Sequence, residues 1–448
     1  MLPGVVMKFG GTSVGTAEAM TLTARHVARE PRNPLVVVSA VGGVTDLLLG
    51  AADSACKESS PRGVERIRAR HHEIIEALDL DPAIIGDQED QLRRLVQGIS
   101  LLRELTPRIR DSLVSLGERM SSRLLAATLE SMGRPAMAYN AWELGLTTDD
   151  KHGCAEPLPG ARARMGEVMN ELDPEVIPVV TGFIAHSPEG EITTLGRGGS
   201  DFSAALFGAA AGAEEIQIWT DVTGIQRADP RVVEGAEVIG AMRFEEAAEL
   251  AYFGAKVLHP RTMEPARALG IPVRVLGTFA VDPEGVPAAE LGTVIDDQAP
   301  TEPVRALAIR PDVQSLHIHS LRMLEAHGFL SRVFEILARH RISVDVIATS
   351  EVSISMTLDL YEGDLEAAVE ELKAFAEVEQ LGKRSIVCLV GSGLRHDTSL
   401  LARVFDILAR AEVPVHVISQ GASRINITLV TDPEHVKPAM KALYAELF

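Results

Sequence analysis

Val5-Val6-Met7-Lys8-Phe9-Gly10-Gly11-Thr12-Ser13-Val14 is a β-branched run that stops at paired glycines and gives way to a helical pattern. Glycines at such a strand-to-helix turn let backbone N–H groups approach an anion, and the helix N-terminus adds a favourable dipole. The lysine precedes the glycines, so this is not a Walker A loop, and the spacing is not that of a dinucleotide fingerprint. By itself the turn reads equally well as one without a ligand. Working outward, further short runs at Leu35–Ser39, Ala136–Tyr139, Ile177–Thr181, Ile216–Thr220 and Val273–Leu276 alternate with longer helical patterns. That rhythm predicts an α/β domain with a mainly parallel sheet. Between the second and third runs, residues 62–132 space charges among Leu and Ile at helical period, predicting a helical insertion or cap. Its last helix puts Leu113, Leu116 and Met120 on one apolar stripe. Glu118 falls off that stripe and by periodicity reads as a solvated acid.

Beyond Gly277 the composition turns to linker chemistry, Asp282-Pro283-Glu284-Gly285 and Ala299-Pro300-Thr301-Glu302-Pro303. An internal repeat follows. LSRVFEILARHRISVDVIATS (Leu330–Ser350) aligns without gaps on LARVFDILARAEVPVHVISQG (Leu401–Gly421), identical at eleven of twenty-one positions. Each copy is an amphipathic helix followed by a strand. Flanking runs at Leu316–His319, Ser353–Asp359, Ile386–Val390 and Ile425–Val430 complete two βαββαβ units packed through their sheets.

Composition narrows the function classes. The 448 residues carry 43 basic and 63 acidic side chains, a formal charge of −20, with 46% hydrophobic residues. Such a surface repels nucleic-acid backbones and acidic lipid heads, so neither partner is expected. Cys56, Cys154 and Cys388 form no disulfide or zinc pattern, in keeping with a reducing cytoplasm. No apolar run approaches a bilayer span and no signal h-region is seen after Met1, so a chain neither exported nor anchored is expected.

Within this acidic chain a few cations sit at strand ends. Thr194-Leu195-Gly196-Arg197-Gly198-Gly199-Ser200-Asp201 follows a strand-like run and precedes an apolar helix. Asp201 is placed as a helix N-cap, whereas Arg197 on a glycine loop can fork onto a carboxylate or phosphate. Ile216–Arg231 delivers Thr220 and Asp221 to a strand's C-terminal end, where open α/β sheets bind ligands, and its Asp-Pro-Arg turn supplies Arg231. Phe253–Pro260 adds Lys256 before another helix. Together these point to an anionic, phosphate-bearing ligand.

KFGGTSV (Lys8–Val14), VVVSAVGGVTDLL (Val36–Leu48), TTLGRGGSD (Thr193–Asp201), WTDV (Trp219–Val222), DPR (Asp229–Arg231) and FGAKVLHP (Phe253–Pro260) resemble the aspartate kinases of the amino-acid kinase superfamily. The resemblance runs along essentially the whole chain, to the monofunctional, lysine-sensitive type with two C-terminal ACT domains. It implies an amino-acid kinase fold, a mainly parallel sheet with helices on both faces, over 1–295. It also implies ferredoxin-like ACT units at 303–383, binding the effector, and 384–448. The implied reaction is Mg²⁺- and ATP-dependent phosphorylation of the β-carboxylate of L-aspartate, the first step towards lysine, threonine and methionine. Two alternatives are a kinase for another amino acid or carboxylate and a non-catalytic amino-acid sensor.

By this resemblance Lys8, Glu118, Arg197 and Asp201 are catalytic. Lys8 neutralises the transferring group, with the N–H groups of Gly10 and Gly11 cradling its oxygens. Arg197 takes the substrate α-carboxylate, Glu118 and Asp201 its ammonium, and Ser39, Thr45, Gly198, Gly199 and Ser200 line the pocket. Thr220, Asp221, Gln226, Arg231, Lys256 and Val257 correspond to the nucleotide site, with Gln226 where relatives often carry Tyr. No protein metal ligand is assigned, since Mg²⁺ commonly keeps waters and phosphate oxygens. Met323, Phe329, Leu330, Ser343, Asp345, Thr349, Ser350, Glu351 and Val352 correspond to a lysine pocket, and Ala326 departs from a Ser often found there. The second repeat carries His416, Gln420, Gly421 and Ala422 where the first has Asp345, Thr349, Ser350 and Glu351. Carboxylates in one copy alone suit an ammonium-bearing effector there. ACT units commonly pair, so a homodimer or dimer of dimers is expected.

Overall fold

The computed structural model describes residues 2–57, 63–253, 260–280, 291–323, 327–359, 363–395, 397–421 and 423–448. All five residues of β1 (Val5–Phe9) are buried. A strand without a polar face must be covered on both sides, and β1 runs through the middle of an eight-stranded sheet. The other members are β2 (Pro34–Val38), β3 (Ala136–Tyr139), β4 (Ile177–Thr181), β7 (Glu215–Thr220), β8 (Ala241–Met242), β9 (Val273–Gly277) and β10 (Thr293–Ile295). Their order is β3-β4-β2-β1-β7-β9-β10-β8. Pairing is parallel from β3 to β9, and β10 turns antiparallel to β9. Each of the six expected strands forms within one residue of its expected bounds. The unforeseen β8 and β10, and the hairpin of β5 (Ile184–His186) with β6 (Ile192–Thr194), are two or three residues long, too short to show a period.

Helices α1 (Ala17–Arg29), α2 (Val44–Lys57), α6 (Ala161–Asn170) and α7 (Gly199–Ala211) accompany the sheet. The 62–132 stretch folds as α3 (Val64–Ala77), α4 (Gly86–Leu102) and α5 (Pro107–Ser131). It is no separate appendage, because Ile67, Leu92 and Leu116 share one core with Met7, Phe9 and Val36. Helix α5 begins at Pro107, which needs no N–H partner, after Thr106 accepts from Ile109 N–H.

The chain divides into two compact units, residues 1–225, 238–244 and 257–299 in one, and 226–237, 245–256 and 300–448 in the other. Helices α8 (Phe244–Tyr252) and α9 (Pro260–Arg267) fall around these crossings. The second unit holds a six-stranded antiparallel sheet of β11 (Ala306–His319), β12 (Ser343–Thr349), β13 (Ser353–Asp359), β14 (Glu377–Val390), β15 (Val417–Ser419) and β16 (Asn426–Thr431). The order is β12-β13-β11-β14-β16-β15. Helices α10 (Phe329–Arg339) and α11 (Leu365–Lys373) bury Val333, Ile336 and Val369 with Leu316 and Ile354. Helices α12 (Thr398–Arg410) and α13 (Val436–Leu447) bury Val404, Leu408 and Leu443 with Leu389 and Ile427.

The runs Leu316–His319 and Ile386–Val390 are each only part of a 14-residue strand. β11 and β14 pair along their whole length, from Ala306 opposite Val390 to His319 opposite Glu377, with register shifts after Arg310 and Ser315. The leading part, Ala306–Arg310, lies beside Ile386–Val390, and Val304 and Leu307 pack in the core of α12 and α13. A strand inside the span 303–383 expected for the first repeat therefore completes the sheet of the second. Among the described residues no helix is long and apolar enough to cross a membrane.

Candidate functional site

Alternation along β1 sends Val5, Met7 and Phe9 into the core shared with α2 and α5 and turns Lys8 to the other face. Lys8 is 9% exposed, and its Nζ lies 2.7 Å from Asp201 Oδ1, a contact of opposite charges rather than a directed hydrogen bond. The chain enters α7 through Gly196 (φ +78°) and Gly198 (φ +70°), left-handed conformations that favour glycine. The cap position consequently falls on Gly198. Asp201 stands third in the helix, so the N-cap reading is replaced by one in which its carboxylate answers Lys8.

These groups border a cavity of about 450 Å³. Its lining brings together Lys8, Gly11, Ser39, Thr45, Glu118, Arg197, Gly198, Gly199, Ser200 and Asp201, drawn from stretches far apart in the chain. The first turns of α2 and α7 both open onto it, adding two positive helix ends to Lys8 and Arg197. Arg197 itself is exposed at the rim.

Glu118 is 4% exposed, against the solvated-acid reading. Periodicity assumed that α5 buries one stripe only, but its other side meets the turn after β2. Glycine makes that approach possible, since a Cβ at Gly117 would lie 2.7 Å from Ala40 Cβ. Glu118 Oε1 accepts the Ala40 N–H at 3.2 Å, while Oε2 is buried without a partner among the described residues. Burial pushes the Glu118 carboxyl up to about 8, with backbone N–H donors opposing the rise. A buried acid with an unused oxygen suits a cationic ligand group.

Gly10 departs from expectation. Its N–H donates to Trp219 O at 3.1 Å and so is spent on the sheet, leaving Gly11 as the cavity-facing member of the pair. A Cβ at Gly11 would come within 2.9 Å of Ala40 O. Phe183 and Asp46 also line the cavity and were not foreseen. Phe183 follows the C-terminal end of β4, a position that could have flagged it. Its φ of +66°, uncommon for a bulky residue, leaves no mark in sequence.

The residues implied for a nucleotide are not gathered in this cavity. Thr220 and Asp221 stand at the end of β7, where Thr220 Oγ1 donates to Asp221 Oδ1 at 2.9 Å. Gln226 and Arg231 belong to the second unit. Gln226 Nε2 donates to Ala236 O at 3.2 Å, and exposed Arg231 forks back onto Asp229, its Nη2 donating to Oδ2 at 2.7 Å. Lys256 and Val257 lie outside the described residues, as does Ala326.

The nine residues implied for an effector are strung along the second unit. Ser343 opens β12 and Thr349 closes it, roughly 20 Å apart at strand rise. Ser350 caps the turn beyond, accepting Ser353 N–H at 3.1 Å, next to exposed Glu351 and half-buried Val352. Met323 and Phe329 pack against the core of the first repeat, and Leu330 is partly exposed. Asp345 is not a free loop acid. Its side chain is 2% exposed, 2.8 Å from Arg310 Nη1, and Oδ1 also accepts a long bond from Tyr252 Oη at 3.4 Å. Arg310 reaches Asp359 as well. Burial raises the Asp345 carboxyl above its ordinary range, the Arg310 charge pulling the other way and Asp359 adding to the rise, and Oδ2 has no partner among the described residues.

Comparison with known proteins fits this arrangement. Residues 3–277 match the amino acid kinase family, and 318–374 and 387–447 match the ACT domain. Aspartokinase 1, chloroplastic, of Arabidopsis thaliana is 38% identical over 99% of this chain and 80% of its own. Lysine-sensitive aspartokinase 3 of Escherichia coli (strain K12) is 38% identical over 99% of both chains. Among solved structures, E. coli aspartokinase III superposes with a TM-score of 0.81 at 36% identity over 99% of each chain. It has been captured with lysine and aspartate in a T-state and with aspartate and ADP in an R-state.

Proposed function

Because the chain belongs to the aspartokinases of the amino acid kinase family, we propose that its first unit moves the γ-phosphoryl group of ATP to the β-carboxylate of L-aspartate at the Lys8 cavity, and that its second unit binds L-lysine as inhibitor. The observation that carries this reading is the convergence of Lys8, Glu118, Arg197 and Asp201 on one cavity. A carboxylate nucleophile is ionised at neutral pH and needs no general base, so catalysis rests on alignment and charge neutralisation. Arg197 forks onto the α-carboxylate. The α-ammonium meets the unused Glu118 oxygen and Asp201. Taking over Asp201 frees Lys8 from its ion pair to face the phosphoryl oxygens.

Thr220, Asp221, Gln226, Arg231, Lys256 and Val257 are assigned to the nucleotide. A cavity lined by two cations and two helix ends suits a polyphosphate. Mg²⁺ would be held chiefly by the phosphates and water.

For the effector, the unpaired Asp345 oxygen is the group that would accept an ammonium. β12 is the terminal strand of the described sheet. Lysine sites completed in a homodimer or a dimer of dimers belong to the same reading. The E. coli relative's lysine-bound T-state supports the same reading. The protein is assigned to the cytoplasm on its cysteine usage.

ADP release from Mg·ATP, measured with and without L-aspartate across a titration of L-lysine, tests both halves. Aspartate-dependent turnover suppressed by lysine is expected. Turnover indifferent to lysine would remove the effector assignment, and no turnover with any acid would leave a sensor.

A further inference from the structure

Helix α5 carries a second buried acid, two turns before Glu118, that the transfer reaction does not touch. Asp111 is 2% exposed and both of its oxygens are filled. Oδ1 accepts Thr194 Oγ1 at 2.9 Å. Oδ2 accepts three donors, Thr194 N–H at 3.1 Å, Gly153 N–H at 3.0 Å and His152 Nδ1 at 3.1 Å. The contrast with Glu118, which leaves an oxygen unused inside the cavity, marks one acid as a ligand group and the other as a structural node.

What Asp111 holds is the approach to Arg197. Thr194 is the last residue of β6, and the left-handed glycines Gly196 and Gly198 flank Arg197. A loop with glycine on each side of its cation has little stiffness of its own. What its ends are tied to therefore bears on its position. The 152–155 segment packs against the same loop. Ala155 N–H donates to Thr194 O at 2.9 Å, and a Cβ at Gly196 would lie 3.1 Å from Gly153 O. Beyond it, Glu191 braces the node, 3.5 Å from His152 Nε2 and 2.6 Å from Arg108 Nη1. One carboxylate thus joins the strand leading into the Arg197 loop, the segment behind it, and the helix that bears Glu118.

We infer that Asp111 is a positioning residue that fixes the separation of Arg197 from Glu118 and thereby sets recognition of the amino-acid headgroup of the substrate. The inference rests on the aspartate reading above, in which those two side chains grip the α-carboxylate and the α-ammonium. Asp111 does not line the cavity, so its effect reaches substrate only through placement. A shell whose own rotamers are locked by hydrogen bonds holds geometry that a loop alone does not.

The test is steady-state kinetics of the full chain for both substrates, with thermal unfolding in parallel, on Asp111→Asn and Thr194→Val. Asp111→Asn keeps the shape but turns an N–H₂ towards N–H donors, and KM for aspartate should rise at least about tenfold while KM for ATP stays within about twofold. Thr194→Val removes one of the four bonds and should raise KM for aspartate several-fold with the same split. If Asp111→Asn fails to fold, Thr194→Val decides. A folded variant whose two KM values move together, or that loses thermal stability without any KM split, overturns the inference. Wild-type protein lacking aspartate-dependent turnover overturns the underlying reading as well, whereas active wild type with unmoved variants overturns this inference alone.

Discussion

The two units face the same task, holding a small charged molecule, with differently arranged residues. In the first unit, residues from five separated stretches converge on one cavity, most of them at strand ends and helix starts. In the second, the candidate residues are spread over β12, the turn after it, the start of α10 and the segment before that helix. A second contrast lies within that unit. The first repeat sets Asp345 and Asp359 around Arg310, an excess of negative charge, while the second sets His416 and Arg384 around Asp432, at 3.0 Å and 2.7 Å. One fold, repeated, is net acidic around Arg310 in its first copy and holds an arginine–carboxylate pair beside a histidine in its second. The difference teaches that the scaffold supplies the shape and a few strand side chains choose the ligand charge.

The sharpest way to break the first contrast is Lys8→Ala. With the one buried cation of the cavity gone, kcat should fall by roughly three orders of magnitude, with the circular dichroism spectrum unchanged; turnover near wild type would show that charge convergence there is not what drives transfer. Next comes Asp345→Ala, which should raise the lysine concentration for half-inhibition by roughly 100-fold and leave kcat within about twofold. Equal sensitivity in mutant and wild type would erase the distinction between the repeats.

A smaller effect is expected from pH. Glu118, pushed up to about 8, is mostly protonated at pH 7, and an incoming ammonium favours its ionised form. KM for aspartate should therefore fall as pH rises towards 8, by a factor approaching about tenfold per pH unit, and level off above it. KM for ATP should not follow. Calorimetry at pH 7 in buffers of different ionisation enthalpy should record proton release on aspartate binding, and zero release would exclude this coupling. Stability runs the opposite way. The folded state holds that proton more tightly than the unfolded chain, so Glu118 costs nothing below its ordinary range and increasingly destabilises as pH rises to about 8. Glu118→Gln should thus melt a few degrees above wild type at pH 8.5, and by less at pH 6. The smallest expected effect is that of His416→Ala, which should change lysine inhibition less than about twofold; a large change would mean that the second repeat also takes part.

Much of this was legible in the sequence, and the exceptions have physical reasons. Runs such as Val5–Phe9 announced buried strands, and the gapless match of Leu330–Ser350 with Leu401–Gly421 announced paired units. The cavity residues were readable because glycine loops, cations and strand ends fall together in contiguous motifs. Glu118 was legible only through family likeness, because helical period marks the core-facing stripe and not a second face pressed against a turn. Asp201 was misplaced by two glycines whose left-handed backbone moved the cap. The engagement of the Gly10 N–H by Trp219 depends on a strand pairing across more than 200 residues, which no local pattern encodes. The pairing of Asp345 with Arg310 was not legible, because Arg310 lies on another strand.

The long strands β11 and β14 bear on how this protein could be rebuilt or recombined. Each passes from one repeat's sheet into the other's without a break, so no peptide bond between the repeats is a clean seam. Excising residues 303–383 as a cassette would strip a strand from the half left behind, and grafting 384–448 alone onto another kinase would import a sheet with an open side. Modules exchanged between relatives would have to travel as the whole second unit, 226–237, 245–256 and 300–448. An effector preference could then be altered by point changes inside the block, but not by shuffling its halves.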